Sequence, residues 1–401
     1  MPVACVSPVS SGGMGTEGRA PLPRYGEASL ADVVPSLLSA LDVPGFDNPL
    51  GIDPARRVCL LLIDGLGLEQ LEADREHALF LTTVATTLRP ITTYFPATTV
   101  ASLGSLGTGR PPGEHGLVGT TVAVPGQTRA MNLLRWSASG LGPATDLRDR
   151  IAPERFQPEP TAFERAAADR VSVNLIGPRD HARSGLTRAV LRGGRYESVH
   201  SLGELAAMAL RHLVGAPRTL VYAYHRDLDL TGHARGASSD NWRLHLGFVD
   251  LLAEQIAERL PGDALLAVVG DHGMVDLRPE QRVDLADQPE LAAGVRLLAG
   301  EARARHVHAE DGAEADVLQT WRAVLGEQMW IVSREEAIEA GWFGPRVLDR
   351  VRPRIGDVVA AAREPIGVFQ RDLDPGQARM VGHHGSLTRA ERLVPLILFR
   401  R

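Results

Sequence analysis

Short runs of apolar residues alternate along the chain with longer stretches in which apolar positions recur every three or four residues. "RVCLLLID" at 57–64 is apolar at successive positions rather than at every second one. That pattern predicts a strand buried on both faces, as the strands of parallel sheets are. "RVSVNLIG" (170–177), "RTLVYAYH" (218–225), "ALLAVVGD" (264–271) and "LVPLILF" (393–399) have the same character. Between them, "SLGELAAMALRHLV" (201–214) predicts a helix. So does 238–260, where Trp242, Leu246, Val249, Leu252, Ile256 and Leu260 share a helical face before Pro261-Gly262 stops the pattern. Strands alternating with amphipathic helices predict an α/β fold around a mostly parallel central sheet.

The texture changes from about 281 to 350. Strand-like runs shorten there, and "GAEADVLQTWRAVLG" and "SREEAIEAGWFG" predict small helices. We expect this segment to be a small inserted α+β cap on a core made of 46–280 and 351–401. Residues 1–45 are expected to form a flexible tail rich in Gly, Pro and Ser, followed by a lead-in helix. His306 and His308 alternate within "ARARHVHAED", which places them on a solvated face of the cap.

Composition narrows the partners. A chain of 401 residues with 44% apolar and 23% charged residues is ordinary for a globular protein. Its net charge of −6 gives no electrostatic footprint for nucleic acid. Every basic residue apart from His is Arg; there is no lysine. Cys5 and Cys59 make neither a disulfide framework nor a thiolate zinc site. No apolar run approaches the length of a membrane span, and the N-terminus lacks a basic start followed by a long apolar stretch. The expected location is the cytoplasm, and the expected partner is a small molecule.

The chemistry-bearing residues cluster where strands end. Asp64 follows "LLLI"; Asp227, Asp229 and His233 lie in "DLDLTGH"; Asp271 and His272 lie in "VVGDHGM"; His383 and His384 lie in "VGHHGS". In open α/β sheets functional groups gather at the carboxyl ends of strands. Carboxylates brought together repel one another unless cations sit among them. Histidine and carboxylate donors without thiolate suit zinc, with manganese or iron as alternatives. Asp229, His233 and either His383 or His384 can form one three-ligand set, and Asp64, Asp271 and His272 a second. Each leaves an open position, as catalytic sites do. Two such ions can hold the attacking and leaving oxygens of a phosphoryl transfer. For a nucleophile the sequence offers "YFPATTVASLGSLGTG" (94–109), with Thr98 and Thr99 before a run of small residues. A hydroxyl at a helix N-terminus is well placed against an anionic substrate.

Taken in order, "IDGLG" (63–67), "FPATT…GTGRPPGEHGLVG" (95–119), "DLDLTGH" (227–233), "GDHGM" (270–274) and "GHHG" (382–385) resemble the nucleotide pyrophosphatase/phosphodiesterase branch of the alkaline phosphatase superfamily. The resemblance runs from about residue 57 to the C-terminus and implies an alkaline-phosphatase-like core. It implies that Thr99, ten residues before Gly109, is nucleophile and metal ligand, with Thr98 the alternative. It selects Asp229 over Asp227, four residues before His233, and His384 over His383. Asp64, Asp271 and His272 match the second metal's ligands. Where nucleotide-cleaving members carry an Asn that donates to a phosphate oxygen, this chain has Thr120. "EHG" at 114–116 is expected to position the loop after the nucleophile helix, with His115 not a ligand.

The implied function is a two-metal phosphoesterase, with zinc as its expected metal. It would cleave a nucleotide-type phosphodiester or pyrophosphate bond through a phospho-threonine. Phosphomonoesterase and phosphonate hydrolase activities of the same superfamily are the alternatives within the class. A sulfatase is excluded, because neither cysteine lies in a C/S-x-P-x-R context. The cofactor-independent mutase type uses lysines that this chain lacks. A catalytically inactive metal-binding scaffold is the alternative of a different class, but every expected ligand position and Thr99 are filled.

Overall fold

The computed structural model describes residues 20–84, 87–140 and 145–401, so residues 1–19 of the expected tail lie outside the described residues. Helix α1 (Leu30–Ala40) leads into β1 (Arg57–Ile63). The chain continues through β2 (Thr87–Thr92), α2 (Thr99–Thr108), β3 (Ser172–Pro178) and β4 (Arg195–Val199). It then forms α3 (Leu202–Leu213), β5 (Thr219–His225), α4 (Asp227–Arg235), α5 (Asp240–Ala257) and β6 (Ala264–Gly270). The central sheet has seven strands in the order β2, the C-terminal strand Leu393–Arg400, β6, β1, β5, β3, β4. β1 lies between β6 and β5 and is parallel to both; β3 is parallel to β5 and β4.

The unbroken apolar run of β1 has a direct physical use. Val58, Leu60 and Leu62 pack into the core on one face of the sheet, and Cys59, Leu61 and Ile63 into the core on the other. Helix α5 supplies part of the second core with Trp242, Leu246, Val249, Leu252 and Ile256. It starts where the Ser239 hydroxyl accepts the Trp242 N–H at 3.2 Å. The C-terminal strand departs from the pattern of its neighbours: it runs antiparallel to both β6 and β2. Burial on both faces produced the same apolar run, and burial carries no information on strand direction.

A second sheet has four antiparallel strands in the order Val295–Glu301, Ala304–Ala309, Val358–Ala362, Met329–Ser333. Helix Glu314–Leu325 packs Val317, Trp321 and Leu325 into this sheet's own apolar cluster. The strand Val358–Ala362 lies beyond the 281–350 stretch. The solvated face expected for His306 and His308 is corrected here, because the whole strand Ala304–Ala309 is buried. His306 Nδ1 accepts the Gly356 N–H at 3.2 Å, so its Nε2 donates to the Val118 carbonyl at 2.8 Å. The alternation is real, but the second face meets the core rather than water. The two sheets are joined by a buried ion pair. The Arg303 guanidinium donates to both carboxylate oxygens of Glu391 at 2.8 Å, and Glu391 also accepts the Ser386 N–H at 2.9 Å.

Candidate functional site

The parallel strands end at one edge, and the candidate residues follow those ends. Asp64 follows β1, Asp229 and His233 sit one turn apart on α4 after β5, and Asp271 and His272 follow β6. Thr99 is the first residue of α2, and His384 follows the short strand Gly382–His383. Close approach of α4 depends on Gly65, whose φ is +76° and where a Cβ would stand 2.9 Å from Asp229 Cα and Cβ. Only glycine accommodates both demands.

The structure brings all seven residues together. Thr99 Oγ1 is 3.3 Å from Asp64 Oδ1 and 3.2 Å from His272 Nε2. His272 Nε2 is 3.4 Å from Asp64 Oδ1 and 3.6 Å from Asp271 Oδ2. Asp229 Oδ2 is 3.3 Å from His233 Nε2, and Asp229 Oδ1 is 4.0 Å from His384 Nε2. Among these seven residues, two sets have potential ligand atoms all within 4.8 Å of one another: Asp64, Asp271 and His272, and Asp229, His272 and His384. The first set is the expected one. The second takes His272 where the sequence suggested His233, which touches Asp229 but lies outside the set. Asp227 is exposed, and His383 turns away to donate from Nε2 to the Met380 carbonyl at 3.2 Å.

Backbone carbonyls orient the histidines. Nδ1 of His233 donates to Gly382 O at 2.8 Å, Nδ1 of His272 to Gly273 O at 3.0 Å and Nδ1 of His384 to Ala97 O at 2.8 Å. A carbonyl can only accept, so each ring is fixed with Nε2 toward the carboxylates, the arrangement in which imidazole serves as a metal ligand. The electrostatics ask for positive charge. Burial, and then the Asp64 carboxylate, hold Asp271 well above the usual carboxylate range, and burial pushes Asp229 up to about 6. Burial works against a charged His272, but Asp271, Asp64 and Asp229 overcome it and push this imidazole up to about 10. Asp229 Oδ1 and Asp271 Oδ2 are buried without a hydrogen-bond partner. Unpaired buried carboxylate oxygens are costly, and a divalent cation satisfies them. The donor set therefore fits zinc, manganese or iron.

Supporting residues escaped the sequence reading. The Tyr224 hydroxyl donates to Asp64 Oδ2. Its strand, β5, carries a second buried tyrosine, Tyr222, whose hydroxyl has no hydrogen-bond partner, so nothing in the sequence singled out Tyr224. Glu301, from the second sheet, accepts the Thr120 N–H; it is buried, and its Oε2 has no partner. Thr98 is the N-cap residue of α2, yet its hydroxyl makes no capping bond and instead meets Thr120 Oγ1 at 2.9 Å. Thr120 thus links the start of α2 to the second sheet. His115 accepts the Leu117 N–H at Nδ1, 3.1 Å, and so donates from Nε2 to Ser105 Oγ, also 3.1 Å. It fixes the loop to α2 and takes no part in the cluster. A cavity of about 180 Å³ reaches Asp64, Thr99 and Asp229 and is lined further by Leu103, Tyr222 and Tyr224.

Comparison with known proteins matches residues 58–387 to the type I phosphodiesterase / nucleotide pyrophosphatase family. Murine ectonucleotide pyrophosphatase/phosphodiesterase 5 superposes with a TM-score of 0.65 at 17% identity, covering 85% of this chain and 87% of that one. An inactive form of that murine protein in complex with AMP gives 0.64 at 16% identity, with coverages of 85% and 87%. Phosphonoacetate hydrolase from Sinorhizobium meliloti 1021, in complex with phosphonoformate, gives 0.62 at 17% identity, covering 86% and 91%. At these identities the likeness establishes the fold. No curated protein sequence matches the chain. Among the described residues no helix is long and apolar enough to cross a membrane.

Proposed function

The chain belongs to the type I phosphodiesterase / nucleotide pyrophosphatase family of metal-dependent hydrolases, which act on phosphoester or pyrophosphate bonds, and from that premise we propose that it cleaves a nucleotide-type phosphodiester or pyrophosphate through a covalent phospho-Thr99. The observation that carries this reading is the position of Thr99 Oγ1, 3.3 Å from Asp64 and 3.2 Å from His272 at the start of a ten-residue helix. Asp64, Asp271, His272 and Thr99 would hold one divalent cation, and Asp229, His233 and His384 a second, with zinc the preferred metal. Bound cations would acidify a hydroxyl or water and neutralise the phosphoryl and leaving oxygens.

The chain's own groups do the rest. The Thr99 hydroxyl gives up its proton on the Asp64 side, where Oδ1 already accepts it, and its oxygen attacks phosphorus. The Oγ1–P bond forms as the bond to the leaving oxygen breaks. Free N–H groups in the first turn of α2 face the phosphoryl oxygens. The Thr120 hydroxyl donates to a nonbridging oxygen, in the place of an amide. Water then attacks the phospho-threonine: its oxygen bonds to phosphorus as the Oγ1–P bond breaks, the proton held at Asp64 returns to Oγ1, and the proton that water loses neutralises the departed leaving oxygen. We read the second sheet, extended to Val358–Ala362, as the cap that brings Glu301 to Thr120.

A second reading has a specific observation in its favour. The cavity at Thr99 is about 180 Å³, below the ~300 Å³ at which ligand pockets usually begin. A small phosphonate or phosphomonoester fits that volume more readily than a nucleotide. The test is a zinc-reconstituted hydrolysis panel: bis-p-nitrophenyl phosphate, the p-nitrophenyl ester of thymidine 5′-monophosphate, p-nitrophenyl phosphate and phosphonoacetate, each with an EDTA control. EDTA-sensitive preference for the diesters supports the first reading. Preference for the monoester or phosphonate supports the second, and no turnover of any leaves a metal-binding scaffold.

A further inference from the structure

Asp227 is the acidic residue of "DLDLTGH" that the catalytic cluster leaves out, and it has partners of its own. His225 ends β5, Asp227 opens α4 and His245 comes from α5, so three separate elements converge on one point. Their potential ligand atoms all lie within 4.8 Å of one another. His225 Nε2 and His245 Nε2 face each other at 2.8 Å, with the rings parallel to within 3°. His225 is buried, His245 half-buried and Asp227 exposed. A cavity of about 620 Å³ opens against His225 and Asp227, giving an ion a route from solvent. Arg226 divides its charge between two carboxylates: its Nη1 is 2.7 Å from Asp180 Oδ2, and its Nε is a longer 3.8 Å from Asp227 Oδ1.

We propose that His225, His245 and Asp227 form a further divalent-metal site, separate from the catalytic cluster. Two imidazole nitrogens and one carboxylate, with no thiolate and room for solvent, form a donor set for zinc or a neighbouring first-row ion. Two imidazoles pointing the same nitrogen at each other share a single hydrogen bond at best, whereas a cation engages both lone pairs and the carboxylate. The site touches the catalytic cluster through the backbone. The His225 carbonyl accepts the Asp64 N–H at 2.9 Å, and Asp227 and Asp229 share the first turn of α4.

The test is zinc binding by the full chain after EDTA treatment and dialysis, read by isothermal titration and by metal analysis at matched free zinc. It does not require turnover, so it stands apart from the catalytic reading. The expected result is that His245→Ala binds one zinc fewer than the parent, while His384→Ala retains the ion that His245→Ala loses. Equal stoichiometry and affinity for His245→Ala and the parent overturn the site. Should His245→Ala fail to fold by circular dichroism, the exposed position decides. Asp227→Asn should then weaken that one ion by about tenfold or more, since even supporting contacts to a metal site are worth that much. An unchanged isotherm for Asp227→Asn in that case overturns the site.

Discussion

Two regions of this molecule bury carboxylates and treat them in opposite ways. Glu391 is wholly buried, and the Arg303 guanidinium answers both of its oxygens at 2.8 Å. Asp229 and Asp271 are also buried, yet each keeps an oxygen with no partner; backbone N–H groups reach only the other oxygen of Asp271, and the nearby side-chain charges are imidazoles and the Asp64 carboxylate. The first carboxylate is neutralised by the chain itself and serves to hold the loop beyond His384 to the second sheet. The second group is left short of positive charge, and that shortage is the physical mark of a site built for cations. Burial alone does not distinguish structure from function; the presence or absence of an internal countercharge does.

The contrast can be broken or sharpened in decreasing order of effect. Thr99→Ala should lower kcat by about a thousandfold or more, ~4 kcal/mol of activation free energy, while zinc content stays near that of the parent. Glu391→Gln leaves Arg303 buried without its countercharge, and should cost about 3–5 kcal/mol in urea unfolding, equally in EDTA and in zinc. Asp271→Asn should behave differently: stability in EDTA should hold or rise, because a crowded charge is removed, and the gain from zinc should shrink. Equal losses for the two variants in both media would erase the distinction. For the parent, zinc at a hundredfold its Kd should add about 2.7 kcal/mol per occupied site over the EDTA state.

The smallest effect per pH unit is a slope from histidines outside the cluster. Burial lowers His115 to about 3 and His306 to about 4, below the ordinary 6.5. The unfolded chain therefore binds the proton first. The stability these groups confer is present in full above about pH 6.5 and is lost as pH falls toward those lower values, by at most about 1.4 kcal/mol per pH unit for each. Urea midpoints across this range should show it, and His115→Gln should flatten the slope.

The legible parts of the sequence were those where one physical demand leaves one pattern. Burial on both faces wrote β1, β5 and β6 as unbroken apolar runs, and the glycine-flanked acids and histidines at their ends marked the cluster. Patterns that serve two outcomes misled. An apolar run has no direction, so the antiparallel C-terminal strand resembled its parallel neighbours. Alternation in "ARARHVHAED" fits a solvated face or a second buried one, and the structure chose the second for His306 and His308. Glu301 and Tyr224 were invisible as site residues because their roles depend on what packs against them, Thr120 and Asp64, from distant parts of the chain.

Thr99 as the nucleophile is open to direct chemical test. The measurement is peptide mass spectrometry of zinc-reconstituted enzyme, quenched in acid during turnover of whichever substrate the panel finds cleaved. The expected result is a phosphoryl-containing adduct on the peptide spanning α2, localised by fragmentation to Thr99 and missing from Thr99→Ala. An adduct on Thr98, or full turnover by Thr99→Ala, would contradict it.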